Sequence, residues 1–122
     1  MPVITAQEAP VFEAGENTIT GLASPSRGAR DIATWRVTFA EGAESPLHSL
    51  THEETFVVLS GSVTARYTDS AETAAAGGAL IVPANREFSL VATDGPAEAI
   101  CMLVVGGQAV TADGTFTPPW AV

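Results

Sequence analysis

Gly42-Ala43-Glu44-Ser45-Pro46-Leu47-His48-Ser49-Leu50-Thr51-His52-Glu53-Glu54-Thr55-Phe56-Val57-Val58-Leu59-Ser60-Gly61 is the stretch whose reading decides the fold. It holds both histidines of the chain, two adjacent carboxylates and a following apolar run within twenty consecutive residues. In an extended strand successive side chains point to opposite faces, so His48, Leu50, His52 and Glu54 share one face provided no bulge intervenes. Two imidazoles and a carboxylate on one face make a first-row metal set or an acid/base pair. The same pattern also describes a polar strand whose His and Glu simply meet water, since a structural His is commoner than a ligand His. Ser45-Pro46 before the segment and Gly61 after it are turn signals that bracket it.

The spacing resembles the first motif of the cupin superfamily. That motif runs Gly, five residues, His, one residue, a second His, three or four residues, Glu, six residues and a closing Gly. Here Gly42, five residues and His48, then Glu54, six residues and Gly61 fall in register, while Leu50 stands where the second His belongs. The second cupin motif is Gly, five residues, Pro, one residue, Gly, two residues, His, three residues and Asn. Gly77 and Pro83 match it, Asn85 takes the place of the Gly, Phe88 that of the His and Ala92 that of the Asn. Asn at that place is tolerable because Asn also visits positive φ. The resemblance covers about the middle half of the chain. It implies an all-β, single-domain cupin jelly-roll β-barrel whose first-motif side chains point into the lumen, the ligand pocket of a small barrel.

The family's usual metal is held by the three first-motif residues and the second-motif His. Carried over position by position, His48 and Glu54 remain, and Leu50 and Phe88 offer no donor atom. Two ligands are too few for selective binding of a divalent ion. A metal-free lumen is therefore the favoured expectation. The alternative is a repaired site, in which the strand bends and His52 joins His48 and Glu54 to hold Fe, Mn, Zn or Ni in a two-His-one-carboxylate arrangement.

Away from the motifs the chain alternates short apolar strands with Gly, Pro, Asp and Ser turns, about one turn in every ten residues. Asp31 to Ala40 places Ala33, Trp35, Val37 and Phe39 on one face and Ile32, Thr34, Arg36 and Thr38 on the other. Arg36 then meets water by default, or, if its face lines the lumen, grips a substrate carboxylate or pairs with Glu54. Val63, Ala65 and Tyr67 alternate with Thr64 and Arg66, and Thr93-Asp94-Gly95-Pro96 is a hairpin signal before a final core strand from Ala97 to Val105. Cys101 in that strand reads as a small buried hydrophobe. Residues 1–15 read as an N-terminal arm, for which the resemblance implies pairing with a neighbouring subunit. Residues 106–122 read as an irregular tail, with Trp120 packed on the barrel or on a second subunit.

At 122 residues the chain makes one domain, residues 1–122. Fourteen acidic against five basic residues, a formal net charge of −9, make nucleic acid and anionic membrane surfaces unfavourable partners. A small-molecule ligand or substrate suits this balance better. No apolar run reaches the length of a membrane span and the start lacks a signal-peptide profile, so a cytoplasmic protein is expected, and the single cysteine agrees. The resemblance further implies a homodimer through outer strands.

For function, three readings follow. In the first, Glu54 lies desolvated among Leu50, Phe56, Val58 and Phe88, its pKa is raised, and with His48 it serves acid/base chemistry. The reaction is then an isomerisation, epimerisation, dehydration or cyclisation of a small molecule bound by Arg36, Leu50, Phe56, Tyr67 and Phe88. The second is a binding or sensing barrel without turnover. The third is a metal-dependent, oxygenase-type cupin using His48, His52 and Glu54.

Overall fold

Ala33, Trp35, Val37 and Phe39 are buried while Ile32, Arg36 and Thr38 are exposed, so the alternation read in the sequence is the pleat of a half-buried strand. The same logic builds the whole molecule. The computed structural model describes residues 2–122. Its strands are β1 (Val11–Ala14), β2 (Asn17–Ala23), β3 (Ile32–Phe39), β4 (Ser49–Leu50), β5 (Glu54–Ser60), β6 (Ser62–Tyr67), β7 (Ala71–Ala75), β8 (Ala79–Val82), β9 (Phe88–Val91), β10 (Ala97–Val104), β11 (Ala109–Thr111) and β12 (Gly114–Phe116). Two short 3₁₀ turns, Pro25–Arg27 and Pro119–Ala121, complete the elements.

One wall of the barrel is a six-stranded antiparallel sheet in the order β1-β2-β3-β10-β5-β8. The other consists of β7-β6-β9 and β12-β11-β4. These two short sheets meet at an antiparallel bridge between His48 and Phe88, closed by backbone bonds of 3.0 Å (His48 N–H to Phe88 O) and 2.8 Å (Phe88 N–H to His48 O). The walls enclose one core, where Phe39, Phe88 and Leu103 are almost wholly removed from water. Each contributes about 1.5–3 kcal/mol by burial.

Two positions explain why the motif spacing works as it does. Gly61, between β5 and β6, has φ +69°, and a Cβ there would lie 2.5 Å from the Pro96 carbonyl oxygen, so only glycine fits. Asn85 has φ +66° and is the one non-glycine residue with positive φ among those described, which is how it replaces the motif glycine.

Two expectations need correction. The face shared by His48, Leu50, His52 and Glu54 does not persist, because residues 51–53 leave the strand between β4 and β5. Thr51 causes the break: its N–H donates to Gln108 O and its Oγ1 accepts from Gln108 N–H, both at 2.9 Å, which ties the bend to the C-terminal segment. Residues 106–122 are not irregular, since Ala109 to Phe116 form the β11–β12 hairpin and Pro119–Ala121 a 3₁₀ turn. The N-terminal arm carries β1, which pairs with β2 of its own chain and is the edge strand of its sheet.

Candidate active site

A cavity of about 450 Å³ opens between the two walls. Its sides come from β2 (Ile19), β3 (Trp35, Val37, Phe39) and β5 (Glu54, Phe56), and its rim from Glu16, Glu44 and Pro46. The C-terminal segment closes one side with Phe116, Pro118 and Trp120. Most of the wall is apolar, so the polar groups inside it stand out.

Glu54 begins β5, an interior strand paired with Val82 of β8 on one side and Leu103 of β10 on the other. This register directs its carboxyl inward, where the residue is 5% exposed. Desolvation pushes its pKa up from 4.5 to about 8, and no cation offsets that effect. The group is therefore a protonated carboxylic acid at neutral pH. Its proximity also helps keep the buried Cys101 thiol protonated, although burial is the larger cause there.

His48 faces the same cavity from the opposite wall. Its backbone is held by the bridge to Phe88, and its ring lies on the Phe88 ring with centroids 4.4 Å apart. Nδ1 lies 2.7 Å from Pro46 O. A carbonyl only accepts, so Nδ1 carries the hydrogen and Nε2 keeps its lone pair. Burial lowers the imidazole pKa, partly offset by the bond to Pro46, and the ring is neutral near pH 7. The cavity thus presents a carboxylic acid and a neutral imidazole, two groups displaced in the directions that suit them to acid and base roles.

Leu50 and Phe56 line the cavity, as the sequence suggests. Phe88 does not; it is fully buried behind His48, 6.1 Å from the Phe56 ring, and acts as backing for the imidazole. Arg36 is exposed on the outer face of the six-stranded sheet and cannot reach a ligand, because it alternates with the inward Trp35 and Val37. Tyr67 packs in the core away from the cavity, with the Arg86 guanidinium 3.6 Å above its ring. His52 is exposed and borders a shallow outer groove with Ile32, Glu53, Thr55 and Met102.

The set His48, His52 and Glu54 is therefore not assembled, and the repaired metal site is withdrawn. Among the described residues no group of three His, Cys, Asp or Glu side chains is placed to hold a metal ion. The donor set of His48 and Glu54 beside Leu50 and Phe88 does not fit the family's metal, and no step is derived through one.

The sequence reading missed Trp120, Phe116, Asn17, Glu16 and Glu44 as wall residues. Trp120 carried a partial signal, an aromatic after two prolines, and it packs on the barrel against Phe12 and Trp35. Nothing local distinguishes Glu16 or Glu44 from the other acidic residues.

The family profile described as "Cupin domain" matches residues 35–106. The chain belongs to the cupin family. Among solved structures this cupin is similar to the polyketide cyclase RemF from Streptomyces resistomycificus, with a TM-score of 0.74 at 18% identity, covering 85% of this chain and 79% of that one. It is also similar to KdgF from Halomonas sp., with a TM-score of 0.72 at 16% identity over 85% of this chain and 93% of that one. At such identities the likeness shows the fold. Auxin-binding protein 1 of Arabidopsis thaliana is 42% identical over 50 residues, which is 41% of this cupin and 25% of that protein. The match thus spans about a quarter of the curated relative's length. Among the described residues no helix is long and apolar enough to cross a membrane.

Proposed function

We propose that this cupin is an acid–base enzyme acting on a small, largely apolar carbonyl compound in its cavity. The observation that carries the reading is the pairing of a carboxylic acid still protonated near neutrality, Glu54, with a neutral imidazole, His48, on the walls of one apolar cavity. His48 Nε2 takes the proton from the carbon next to the carbonyl as the C–H bond breaks. Glu54 delivers its proton to the carbonyl oxygen, so the electron pair ends in an uncharged enol. Reversal of both transfers, on the same or another carbon, regenerates the two groups. Enolisation of this kind is shared by isomerisation, epimerisation, dehydration and cyclisation. The structural relative RemF is a polyketide cyclase, an activity consistent with that class.

The test is exchange of deuterium from D₂O into the methyl group of aromatic methyl ketones such as 2-acetylnaphthalene, followed by NMR. The wild-type chain is expected to accelerate exchange above buffer, and Glu54→Gln to remove at least ~10² of that acceleration, within the usual range for a positioned acid or base. Wild-type exchange at the buffer rate, or undiminished exchange in the variant, would end this reading.

A second reading is binding without turnover, favoured by the identity to a protein named for binding auxin. Under it, ligands occupy the cavity and no exchange is ever catalysed.

We also infer a homodimer. The outer face of the six-stranded sheet exposes Ile32, Ile81 and Val104, flanked by the half-buried Val57, Ile100 and Met102, with Arg36 and the diagonal Glu98 as charges of opposite sign among them. On a molecule of net charge −9 this is where two copies can meet with little carboxylate repulsion. A second copy is the occupant this face suits.

A further inference from the structure

We propose that the cavity selects an uncharged aromatic molecule bearing a carbonyl or amide oxygen and rejects the carboxylate of the same shape. This deepens the acid–base reading and rests on it for the site concerned.

The shape argument comes from the walls. Trp35, Phe39, Phe56, Phe116 and Trp120 supply flat aromatic surface around the space, and Ile19, Val37, Leu50 and Leu90 fill between them. A planar, apolar body is what such walls contact best.

The charge argument comes from where the cations are. All five basic residues are arginines, and none is on the wall. Arg27 donates to the backbone carbonyls of Leu22 and Trp120. Arg30 and Arg36 are exposed, the latter on the outer sheet face. Arg66 is committed to Glu44 at 2.7 Å, and Arg86 lies over Tyr67 with a longer contact to Asp69. The acidic side chains on the wall are Glu16 and Glu44 at the exposed rim, Glu44 paired with Arg66, and the uncharged Glu54 acid inside. A carboxylate ligand would pass Glu16 at the rim and then lie in an apolar cavity whose wall holds no cation, where an unpaired charge is unfavourable.

The polar groups that are present favour a neutral oxygen. The Glu54 carboxylic acid offers a hydrogen to an acceptor. An acceptor oxygen on the ligand completes the bond that this acid offers, and His48 Nε2 is the complementary acceptor.

Both tryptophans of the chain are on the wall, so quenching of intrinsic fluorescence reports occupancy, with calorimetry as a second readout. The probes are 2-naphthamide, 2-acetylnaphthalene and 2-naphthoate, which share a ring system and differ in charge. At pH 7 the amide and ketone are expected to bind at least tenfold more tightly than the naphthoate. Lowering the pH towards the carboxyl pKa of the ligand, about 4, should narrow the gap. Phe116→Arg, which places a cation at a rim position 44% exposed, should shift the naphthoate-to-naphthamide affinity ratio several-fold towards naphthoate, whatever the lost aromatic contact costs both. Naphthoate binding as tightly as the amide to the unmodified chain overturns the proposal, as does failure of all three to bind. Selective binding without deuterium exchange leaves this inference standing and removes the acid–base reading. Exchange that depends on Glu54 together with preferred carboxylate binding does the opposite.

Discussion

His48 and Glu54 face the cavity, whereas His52 and Glu53, lying between them in sequence, face water. The two pairs have the same chemistry and opposite surroundings. Burial raises the Glu54 pKa to about 8 and lowers that of His48, and it does so because neither group meets an opposite charge. Position on one side or the other of a bent strand thus separates two buried titratable groups on one cavity from two solvated side chains.

The largest expected difference between the pairs is catalytic. His48→Ala should lower deuterium exchange into 2-acetylnaphthalene by roughly 10²-fold, and His52→Ala should leave it within about twofold. The wild-type rate should rise with pH as His48 loses its proton and fall again above about 8 as Glu54 ionises. Equal losses in the two histidine variants, or a rate still rising beyond that upper limb, would dissolve the contrast.

The carboxylates separate next, through stability. Glu54 ionises near 4.5 when unfolded and near 8 when folded, so between those values folding takes up a proton. Stability therefore falls as pH rises across that window and levels off above it, by on the order of 4 kcal/mol. Glu54→Gln should remove that slope, raising the thermal midpoint by roughly 10 °C at pH 8 and little at pH 5, while Glu53→Gln does neither. Parallel pH curves for wild type and Glu54→Gln would show that burial does not perturb this group.

The smallest effect concerns the outward side as a whole. Ile81, 61% exposed on the outer sheet face, should tolerate Ile81→Glu without loss of fold, yet sedimentation should show the dimer dissociating to monomer. A wild-type chain that sediments as a monomer at all concentrations would leave the outer face with no partner and the comparison with its inner side intact.

Much of the fold was legible because the repeating signals are local. The alternation in Ile32–Phe39 needs only the pleat, and the motif glycines and Asn85 answer to backbone conformations that few residues adopt, whereas the largely apolar run from Thr55 to Ser60 reads as covered on both sides and is in fact buried on one, with Leu59 exposed. The burial of Glu54 was legible too, since its strand neighbours are apolar. His52 and the true setting of Arg36, Tyr67 and Phe88 were less so. The first depends on a bend that Gln108, more than fifty residues away, imposes on Thr51. The others depend on which sheet each strand joins.

From its sequence alone this protein is a cupin-type barrel with His48 and Glu54 as its retained polar pair. Residue type, spacing and local pattern suffice for that, because strand pleat and turn conformations are properties of neighbouring residues. Only the tertiary structure decided that His52 turns away, that Phe88 backs the imidazole, and that Trp120 and Phe116 close a cavity with no arginine on its wall. Those are contacts between segments distant in the chain. Their geometry follows from how the two walls pack together, which no local pattern encodes.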